Sequence, residues 1–385
     1  MIVASKQCSG CYACVSKCPQ NCIRMKTDDE GFWYPEVLSE SCIDCGVCER
    51  VCPAKHEQAQ INEPAAFAVY NKDEKVRGGS SSGGVFTALA EYIIESGGVV
   101  FGAEFDEKFN VVHGFAEQKS ELGRFRGSKY VQSRIGQSYI KARQFLKAGR
   151  TVLFSGTPCQ IAGLKSYLGH GYDNLFTVDL ICHGVPSPKV WDKYLKHKEQ
   201  RAGAPVAGVN FRSKQQSWKK FAMALSFGNK MVYNKTLDKD EYLRAFLQNV
   251  TLRPSCYECN FKTLGRTSDL TLADFWGVDV VMPDFADDKG VSLVLVHSDK
   301  GNNLLEVISD KIVRQQADLI RAIAFNSAAI KPVEKHPARD LFFGDLNNMP
   351  FDDLVKKYCR IGFKTKVRRA YRSAGSKAKR LIAKI

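Results

Sequence analysis

The spacing of hydrophobic positions changes many times along the chain, and these changes predict alternating strands and helices after residue 65. Apolar runs and apolar–polar alternation predict strands at residues 66–70, 99–105, 110–116, 151–154, 175–181, 206–211, 221–227, 270–273 and 292–296. Apolar residues three or four positions apart predict helices between residues 84 and 97 and at 135–147, 160–168, 189–200 and 240–249. This alternation predicts a mixed α/β body whose strand ends present loops with polar and cysteine residues.

One cysteine spacing occurs twice within the first 52 residues. Each copy reads C-x2-C-x2-C-x3-C-P, the bacterial ferredoxin pattern for a cubane [4Fe–4S] cluster, in which the fourth cysteine of each run ligates the other cluster. The first predicted ligand set is Cys8, Cys11, Cys14 and Cys52, and the second is Cys42, Cys45, Cys48 and Cys18. Zinc is the alternative, but it requires two C-x2-C pairs per ion and not a repeated triplet of steps. Residues 1–57 are therefore predicted to form a 2[4Fe–4S] ferredoxin-type domain that moves electrons.

The number of cysteines and the distribution of charged residues indicate the cellular compartment and show which part of the chain is basic. Fourteen cysteines, an N-terminus without an apolar signal segment and no run of ~18 uncharged apolar residues predict a cytoplasmic protein with reduced thiols. The net charge of +15 is a property of the C-terminus, because residues 356–385 hold twelve Lys or Arg and no acidic residue. Residues 1–355 hold 44 basic and 41 acidic groups, so the high net charge of the whole chain gives no information about the active site of the body.

The basic tail, residues 356–385, has apolar residues spaced through it. Such a segment can lie on an anionic membrane as a basic amphipathic helix, which predicts a peripheral location at the inner face of the membrane. A disordered solubilising tail is the alternative. Binding to nucleic acid is the least favoured interpretation, since only charge supports it.

Four further cysteines lie in predicted loops of the body. Cys159 and Cys182 follow predicted strands, and Cys256 and Cys259 bracket a turn, so the four can converge. Four thiolates form a complete ligand set for a third [4Fe–4S] cluster or for a structural zinc ion. The alternative is that Cys159 and Cys182 are buried core residues. The two remaining cysteines, Cys22 and Cys359, have no partner pattern and are interpreted as structural.

A glycine- and serine-rich segment precedes the first predicted helix of the body. Its candidate ligand-binding residues are Gly78, Gly79, Ser80, Ser81, Ser82, Gly83 and Gly84. Glycines allow close approach of a ligand, and a helix N-terminus offers free N–H groups, which suits a nucleotide pyrophosphate. A flexible loop with an ordinary serine cap is the alternative. A second basic loop, residues 124–130, could bind phosphate or carboxylate groups.

Six segments of the body, taken in order, resemble the coenzyme F420 hydrogenase/dehydrogenase beta-subunit family. They are residues 77–84, 127–133, 156–163, 179–188, 256–259 and 268–277. The resemblance covers residues 65–345 and implies two parts, an N-terminal-like flavin-binding domain at 65–150 and a C-terminal-like domain at 151–345. It also implies FAD at residues 78–84, a [4Fe–4S] cluster on the four body cysteines, and electron transfer between clusters, FAD and a deazaflavin-like carrier.

The fused ferredoxin module is typical of bacterial relatives in this family, many of which occur among surface-polysaccharide genes. The resemblance therefore implies an iron–sulfur flavoprotein oxidoreductase that works with a ferredoxin, an F420-like carrier, another small molecule or a sugar-pathway enzyme. The alternative is a non-catalytic electron-transfer subunit that supplies a partner enzyme.

Three single residues are candidates for tuning the redox chemistry. Lys129 could stabilise reduced flavin or an anionic substrate, although a surface lysine is the simpler interpretation. His183 follows Cys182 and could donate a hydrogen bond to a cluster sulfur, or it could be a core or capping histidine. Asp274 lies at an apolar strand end beside Trp276, where desolvation would favour its protonated form, or it could cap a loop.

Overall fold

The computed structural model describes residues 6–56 and 63–359. These residues form one mixed α/β body with a small cysteine-rich module packed against it, which confirms the predicted fold class. Residues 57–62 and the part of the basic tail from residue 360 onward lie outside the described residues. Within the described ranges, none of the helices has the length and apolar character needed to span a bilayer.

The strands were mostly foreseen from the sequence, and they fall into three sheets. In chain order they are β1 (Ile23–Thr27), β2 (Trp33–Val37), β3 (Ala65–Asn71), β4 (Val99–Phe105), β5 (Val111–Ala116), β6 (Val152–Ser155), β7 (Leu175–Leu180), β8 (Val206–Ser213), β9 (Ala222–Phe227), β10 (Val232–Thr236), β11 (Leu270–Asp274), β12 (Ser292–Val296) and β13 (Ile312–Ala317). β1 and β2 form a hairpin, β8 to β10 form a small antiparallel sheet, and the other eight strands form the main sheet.

The main sheet has the order β13-β3-β12-β11-β7-β6-β4-β5. Its central strands β4, β6, β7 and β11 pair in parallel, and the outer pairs are antiparallel. The first three residues of β6 are fully buried, as expected for a parallel strand that is covered on both faces. Because β3 to β5 come from residues 65–116 and the other five strands from later in the chain, both parts of the body share this sheet.

Helices cover both faces of the main sheet and fill the space beside it. In chain order they are α1 (Ala13–Lys17), α2 (Val47–Arg50), α3 (Glu74–Gly79), α4 (Val85–Glu95), α5 (Ser138–Lys147), α6 (Pro158–Leu168), α7 (Pro188–Ala202), α8 (Glu241–Leu247), α9 (Val278–Val281), α10 (Asp299–Glu306), α11 (Leu319–Ile323), α12 (Arg339–Asp345) and α13 (Phe351–Tyr358). α4 and α10 pack on one face of the sheet, and α5 and α6 pack on the other.

The small sheet joins α7, α8, α12 and α13 around a second apolar core. Trp191, Tyr194 and Tyr242 are the largest fully buried side chains in this core. α7 begins where the sequence predicts it, because Ser187 caps the backbone N–H groups of Lys189 and Val190. This arrangement places the end of β8 next to the carboxyl end of β11, where the candidate flavin-site residues meet.

The cysteine-rich module is fixed to the body at two places. α1 and the turn Pro53–Lys55 pack against α6, and the Lys17 Nζ donates a hydrogen bond to the carbonyl oxygen of Tyr167 at 2.6 Å. At the tip of the β1–β2 hairpin, the buried Arg339 guanidinium forms an ion pair with Glu30. The module is therefore held against the same edge of the body that carries the other cysteines.

Candidate redox centres

The first predicted set of cysteines surrounds one pocket in the module. Cys8, Cys11, Cys14 and Cys52 all line it, although Cys52 belongs to the second repeat. Gly10 and Gly46 adopt left-handed backbone angles, φ 68° and 67°, so both repeats turn sharply between their cysteines. Burial raises the pKa of Cys14 to about 12, so a free thiol here is protonated and cluster binding would displace its proton.

The second set surrounds a pocket that opens to solvent. Cys18, Cys42, Cys45 and Cys48 line it, and Cys45 is exposed. Cys22, which the sequence marked as structural, is buried beside this pocket, and its Sγ lies 3.4 Å from that of Cys18. The exchange of fourth cysteines between the two repeats, which the ferredoxin pattern predicts, is therefore present in both pockets.

The four body cysteines also converge. All four line one pocket. Cys159 lies in the first turn of α6, and Cys182 lies just after β7. Cys256 lies in the turn Pro254–Glu258, and Cys259 is the residue that follows this turn. They meet because β6 and β7 are parallel neighbours, so the segments after them emerge at the same sheet edge. The sequence analysis predicted that the four could converge, and the strand order that places Cys159 beside Cys182 is seen in the structure.

The body pocket adjoins the first pocket of the module. Ser9 and Ala54 line both, and Cys11 lies against Gly163 of α6, about one helical turn after Cys159. The described structure thus places the three cysteine sets in sequence: the solvent-facing set, then the buried set of the module, then the body set.

The surroundings of the body pocket fit an anionic occupant. Lys262 is 8% exposed, and its Nζ donates to the carbonyl oxygen of His183 at 3.0 Å. Arg253 is fully buried and donates to the Cys8 carbonyl oxygen at 2.7 Å and to Trp33 and Gln132. Neither forms an ion pair with a carboxylate of the described residues. Because an uncompensated buried charge is costly, a cluster held by four thiolates would supply the missing negative charge.

The zinc alternative requires several ligand side chains that lie close enough together to bind one ion. Among the described residues, no three cysteine, histidine, aspartate or glutamate side chains lie close enough together to hold a single metal ion. The cysteines of each set are instead spread around a pocket. Burial raises the pKa of Cys159, Cys182 and Cys256 to about 12.

In the predicted ligand-binding segment, residues 78–84 (here called the cradle), several glycines and serine hydroxyls already contact other parts of the protein. Gly78 and Gly79 end α3, and Gly84 caps α4 with a left-handed φ of 82°. A Cβ on Gly83 would lie 2.4 Å from the carbonyl oxygen of Val69, so this glycine serves close packing against β3. The hydroxyls of Ser80 and Ser82 donate to the carbonyl oxygens of Val76 and Val291. A ligand at this loop would therefore meet the free N–H groups at the start of α4 and not most of the serine hydroxyls.

Arg212 of β8, which the sequence analysis missed, ties the candidate flavin-site segments together. Its guanidinium pairs with Asp274 at 2.6 Å, donates to the Tyr130 hydroxyl at 3.0 Å and donates to the Ser81 carbonyl oxygen at 3.3 Å. Its Nε is buried and has no hydrogen-bond acceptor among the described residues. An orphaned donor at the meeting point of three family-like segments fits a bound group that offers an oxygen or nitrogen acceptor. A single arginine ending an apolar strand was the signal available in the sequence.

Two lysines beside Arg212 are held in unusual surroundings. Burial lowers the pKa of Lys129 to about 8, and its Nζ donates only to the carbonyl oxygens of Arg126 and Gly127. Lys129 is half-buried and makes no ion pair within the described residues. Burial also lowers the pKa of Lys214 to about 8; its Nζ donates to three carbonyl oxygens, those of Arg77, Ser82 and Lys289.

The other two candidate tuning residues have protein partners. The His183 Nε2 lies 2.6 Å from the Asn249 Oδ1, and burial lowers the pKa of this histidine. Asp274 accepts hydrogen bonds from Arg212 and from the Trp218 Nε1, at 3.2 Å. Both of these candidate side chains are therefore hydrogen-bonded to neighbouring residues of the protein.

Three family models match the chain. Two describe the coenzyme F420 hydrogenase/dehydrogenase beta subunit: its N-terminal model matches residues 66–138, and its C-terminal model matches residues 149–319. A 4Fe-4S dicluster domain model matches residues 7–56, which contain the eight predicted cluster ligands of the module and also Cys22.

Similarity to individual proteins follows the same division. One subunit of the F(420)H(2) dehydrogenase of Methanosarcina mazei is 23% identical over 171 residues, which are 41% of this chain and 48% of that protein. A ferredoxin of Saccharopolyspora erythraea is 35% identical over 60 residues, 16% of this chain and 52% of its own. The chain thus spans about half the length of these two relatives. A 7Fe ferredoxin of Hydrogenibacillus schlegelii is 38% identical over 64 residues, 16% of this chain and 76% of its own.

Among solved structures, one similar chain belongs to the F420-reducing [NiFe] hydrogenase complex of Methanosarcina barkeri. It has 18% identity and a TM-score of 0.46, and the match covers 78% of this chain and 93% of that one.

Proposed function

Because the chain belongs to the coenzyme F420 hydrogenase/dehydrogenase beta-subunit family and carries a 4Fe–4S dicluster ferredoxin domain, we propose that it is an iron–sulfur flavoprotein oxidoreductase. It would carry electrons between three [4Fe–4S] clusters and one FAD, and exchange them with a small-molecule or protein partner. The observation that supports this most is the adjacency of the first module pocket and the body pocket, which share Ser9 and Ala54.

The residues of this chain would hold each group as follows. Cys8, Cys11, Cys14 and Cys52 hold the inner module cluster; Cys18, Cys42, Cys45 and Cys48 hold the outer one; Cys159, Cys182, Cys256 and Cys259 hold the body cluster. The start of α4, with the loop before it, binds the flavin pyrophosphate, and Arg212 donates to the bound flavin from its Nε. A bound FAD supplies the exchange between a two-electron hydride and single electrons.

The test is the cofactor content of the chain purified without oxygen. We expect about twelve irons, at four per cubane, and one FAD per chain. About eight irons without flavin would contradict the proposal. A Cys182→Ser/Cys259→Ser variant should lose about four irons while keeping the module clusters, because its substitutions lie outside residues 7–56.

The physiological partner is to be identified by turnover. Candidate partners are a ferredoxin, a deazaflavin-like carrier and a sugar-pathway substrate, the last in a surface-polysaccharide pathway. Stopped-flow absorbance with each donor, at equal driving force, separates them, because only a true donor reduces the clusters within one turnover time.

A non-catalytic electron-transfer subunit is the second candidate function. It is favoured by the open pocket of the outer module set, where Cys45 is exposed to a docking protein, and by a relative that is named as a dehydrogenase subunit. Such a subunit would show no turnover with any small molecule until its partner protein is added, whereas the oxidoreductase would reduce its own flavin with a small-molecule donor.

A further inference from the structure

The inner module pocket and the body pocket are neighbours, but their electrostatic surroundings differ. None of the residues that line the inner module pocket is charged; the lining consists of its four cysteines with Ser9, Gly10, Tyr12, Ala13, Met25, Pro35, Pro53 and Ala54. The body pocket is lined by Lys262, Arg266 and Glu258 in addition to its cysteines. The difference between the two centres therefore depends on what these three side chains contribute.

Of these three side chains, Lys262 is the one that is buried and has no oppositely charged partner among the described residues. Arg266 forms a buried ion pair with Asp179 at 3.2 Å, so its charge is largely compensated. Glu258 is exposed, so water and salt screen it. Lys262 is 8% exposed, donates only to the backbone of His183 and makes no ion pair within the described residues. It acts electrostatically on Cys182 and Cys259.

Other features act on both centres alike. Arg253 lies between them: it donates to the Cys8 carbonyl oxygen and acts electrostatically on Cys256. Backbone N–H groups reach sulfur in both, at 3.4 Å from Gly10 to Cys8 and at 3.4 Å from Val185 to Cys256. Arg266 also acts on Cys259, and Lys55 acts on Cys52 of the inner centre, but each is paired with a carboxylate, Asp179 or Glu49. Among the described residues, Lys262 is therefore the buried cation without an ion pair that distinguishes the body centre.

We propose that Lys262 makes the body centre easier to reduce than the inner module centre, so that electrons move inward from the ferredoxin module to the body. The inference rests on the proposed function, since it requires a cluster at each site. In this step the reduced inner cluster loses one electron and the oxidised body cluster gains it, with no proton or ligand exchanged. A buried cation favours the more negative, reduced state of a nearby cluster, because net charge and surroundings set cluster potentials.

The experiment is a redox titration of the anaerobically purified full chain, followed by electron paramagnetic resonance. Cys256→Ser identifies the body signal as the one it removes. In the wild-type chain we expect the body cluster to be reduced first, before the inner module cluster. In Lys262→Met the body potential should fall by at least the amount that shifts the electron equilibrium tenfold, about 59 mV for one electron. Lys262→Arg, which keeps the charge, should retain the wild-type order.

Lys165→Met is the matched control. Lys165 is half-buried and likewise donates to a backbone carbonyl, that of Thr267, but it does not line the cysteine pocket. Its loss should leave both potentials in place. An unchanged body potential in Lys262→Met, or a wild-type body cluster that is reduced after the inner module cluster, would overturn the inference. If Lys262→Met loses the body cluster, the inference is tested by the order in which the two clusters are reduced in the wild-type chain and in Lys262→Arg.

Iron content separates this inference from the proposed function. About eight irons in the wild-type chain would mean that the body cluster itself is absent and that the proposed function fails. About twelve irons with the opposite order of potentials would retain the three clusters and reject only the role of Lys262.

Discussion

Arg212 is a buried cation whose loss should be costly to the fold. Its side chain is 2% exposed and pairs with Asp274, whose side chain is 16% exposed. Removing one partner of a buried ion pair leaves the other charge uncompensated, which typically costs about 3–5 kcal/mol. We expect Arg212→Met to lower the free energy of unfolding by about that much and to reduce the flavin retained on purification. Urea unfolding and released flavin measure the two effects.

Two comparisons make the Arg212 prediction specific. Arg24→Met, which breaks an exposed ion pair with Glu36, should change the free energy of unfolding little and leave flavin binding unchanged, because water and salt screen this pair. Arg212→Met combined with Asp274→Leu should recover part of the stability, because no charge is left unpaired, but it should not recover flavin. Full flavin retention in the double variant would show that Arg212 serves the fold alone.

Lys129 predicts how ligand affinity depends on pH. Burial lowers its pKa to about 8, so the side chain is charged below that pH and becomes neutral as the pH rises through it. If the cradle holds an anionic pyrophosphate, the affinity for FAD should fall between pH 7 and pH 9 as this attraction is lost. Titration of flavin-depleted protein with FAD, followed by fluorescence, gives the dissociation constant at each pH.

In Lys129→Met the change in FAD affinity between pH 7 and pH 9 should be smaller than in the wild-type chain. Some dependence should remain, since burial also lowers the pKa of Lys214 to about 8. Lys141→Met, an exposed lysine on α5, should behave as the wild type does. Identical pH profiles for Lys129→Met and the wild-type chain would place Lys129 away from the bound flavin.

At the scale of elements, the contact between the module and α6 depends on one glycine. A Cβ on Gly163 would lie 2.9 Å from the Tyr139 hydroxyl and 3.0 Å from the Cys11 Cβ, both tighter than ordinary contacts. We expect Gly163→Val to force α6 and the module apart, to lower the melting temperature and to release iron from the inner module cluster. Iron analysis and thermal unfolding check this. Gly171→Val, where a Cβ meets no atom within 4 Å, should retain its iron.

The elements that the sequence revealed are those with a clear apolar pattern. Residues 99–105 and 292–296 are strongly apolar and were found as β4 and β12, and the helix predicted at 160–168 was found as α6, which begins two residues earlier at Pro158. β10 and β13 escaped prediction, because Val-Tyr-Asn-Lys-Thr and Ile-Val-Arg-Gln-Gln-Ala are mostly polar edge strands whose pairing comes from a neighbour. Gly78 and Gly79 were expected in a loop, but they end a short helix that Asp73 caps.

Some residues of the candidate sites could likewise be predicted from the sequence, and others could not. The eight motif cysteines of the module could be assigned to two sets, because their spacing carries the pairing rule within one short segment. The convergence of Cys159 with Cys256 depends on long-range strand order, and only the resemblance favoured it over separate core positions. Arg212 and Lys262 carried no motif at all. Arg212 has a buried Nε without an acceptor among the described residues, and Lys262 is buried without an ion pair among them; a sequence displays neither property.

At the scale of the whole molecule, the described residues form an inward line of cysteine sets from a solvent-facing edge to the body. The outer set is open and its Cys45 is exposed, the inner set is uncharged, and the body set faces the buried cation of Lys262. Arg212 donates to the Ser81 carbonyl oxygen in the predicted flavin loop, and the backbone N–H of Ser128, next to Lys129, donates to the Ser81 hydroxyl. Under the proposed function, an electron that enters at the outer set would meet a more positive environment at the body, where two-electron chemistry would take place.

The basic tail, whose residues 360–385 lie outside the described part, can be tested as a separate unit of the molecule. Those residues hold ten Lys or Arg and no acidic residue, and each basic residue near an anionic bilayer contributes about 1 kcal/mol. We expect removal of residues 360–385 to leave iron content and flavin reduction intact while abolishing sedimentation with vesicles that contain phosphatidylserine. Wild-type binding should weaken as salt is raised, and vesicles of phosphatidylcholine alone should bind neither chain. Lost flavin reduction after truncation would instead join the tail to the redox body, and equal vesicle binding by both chains would reject its role at the membrane.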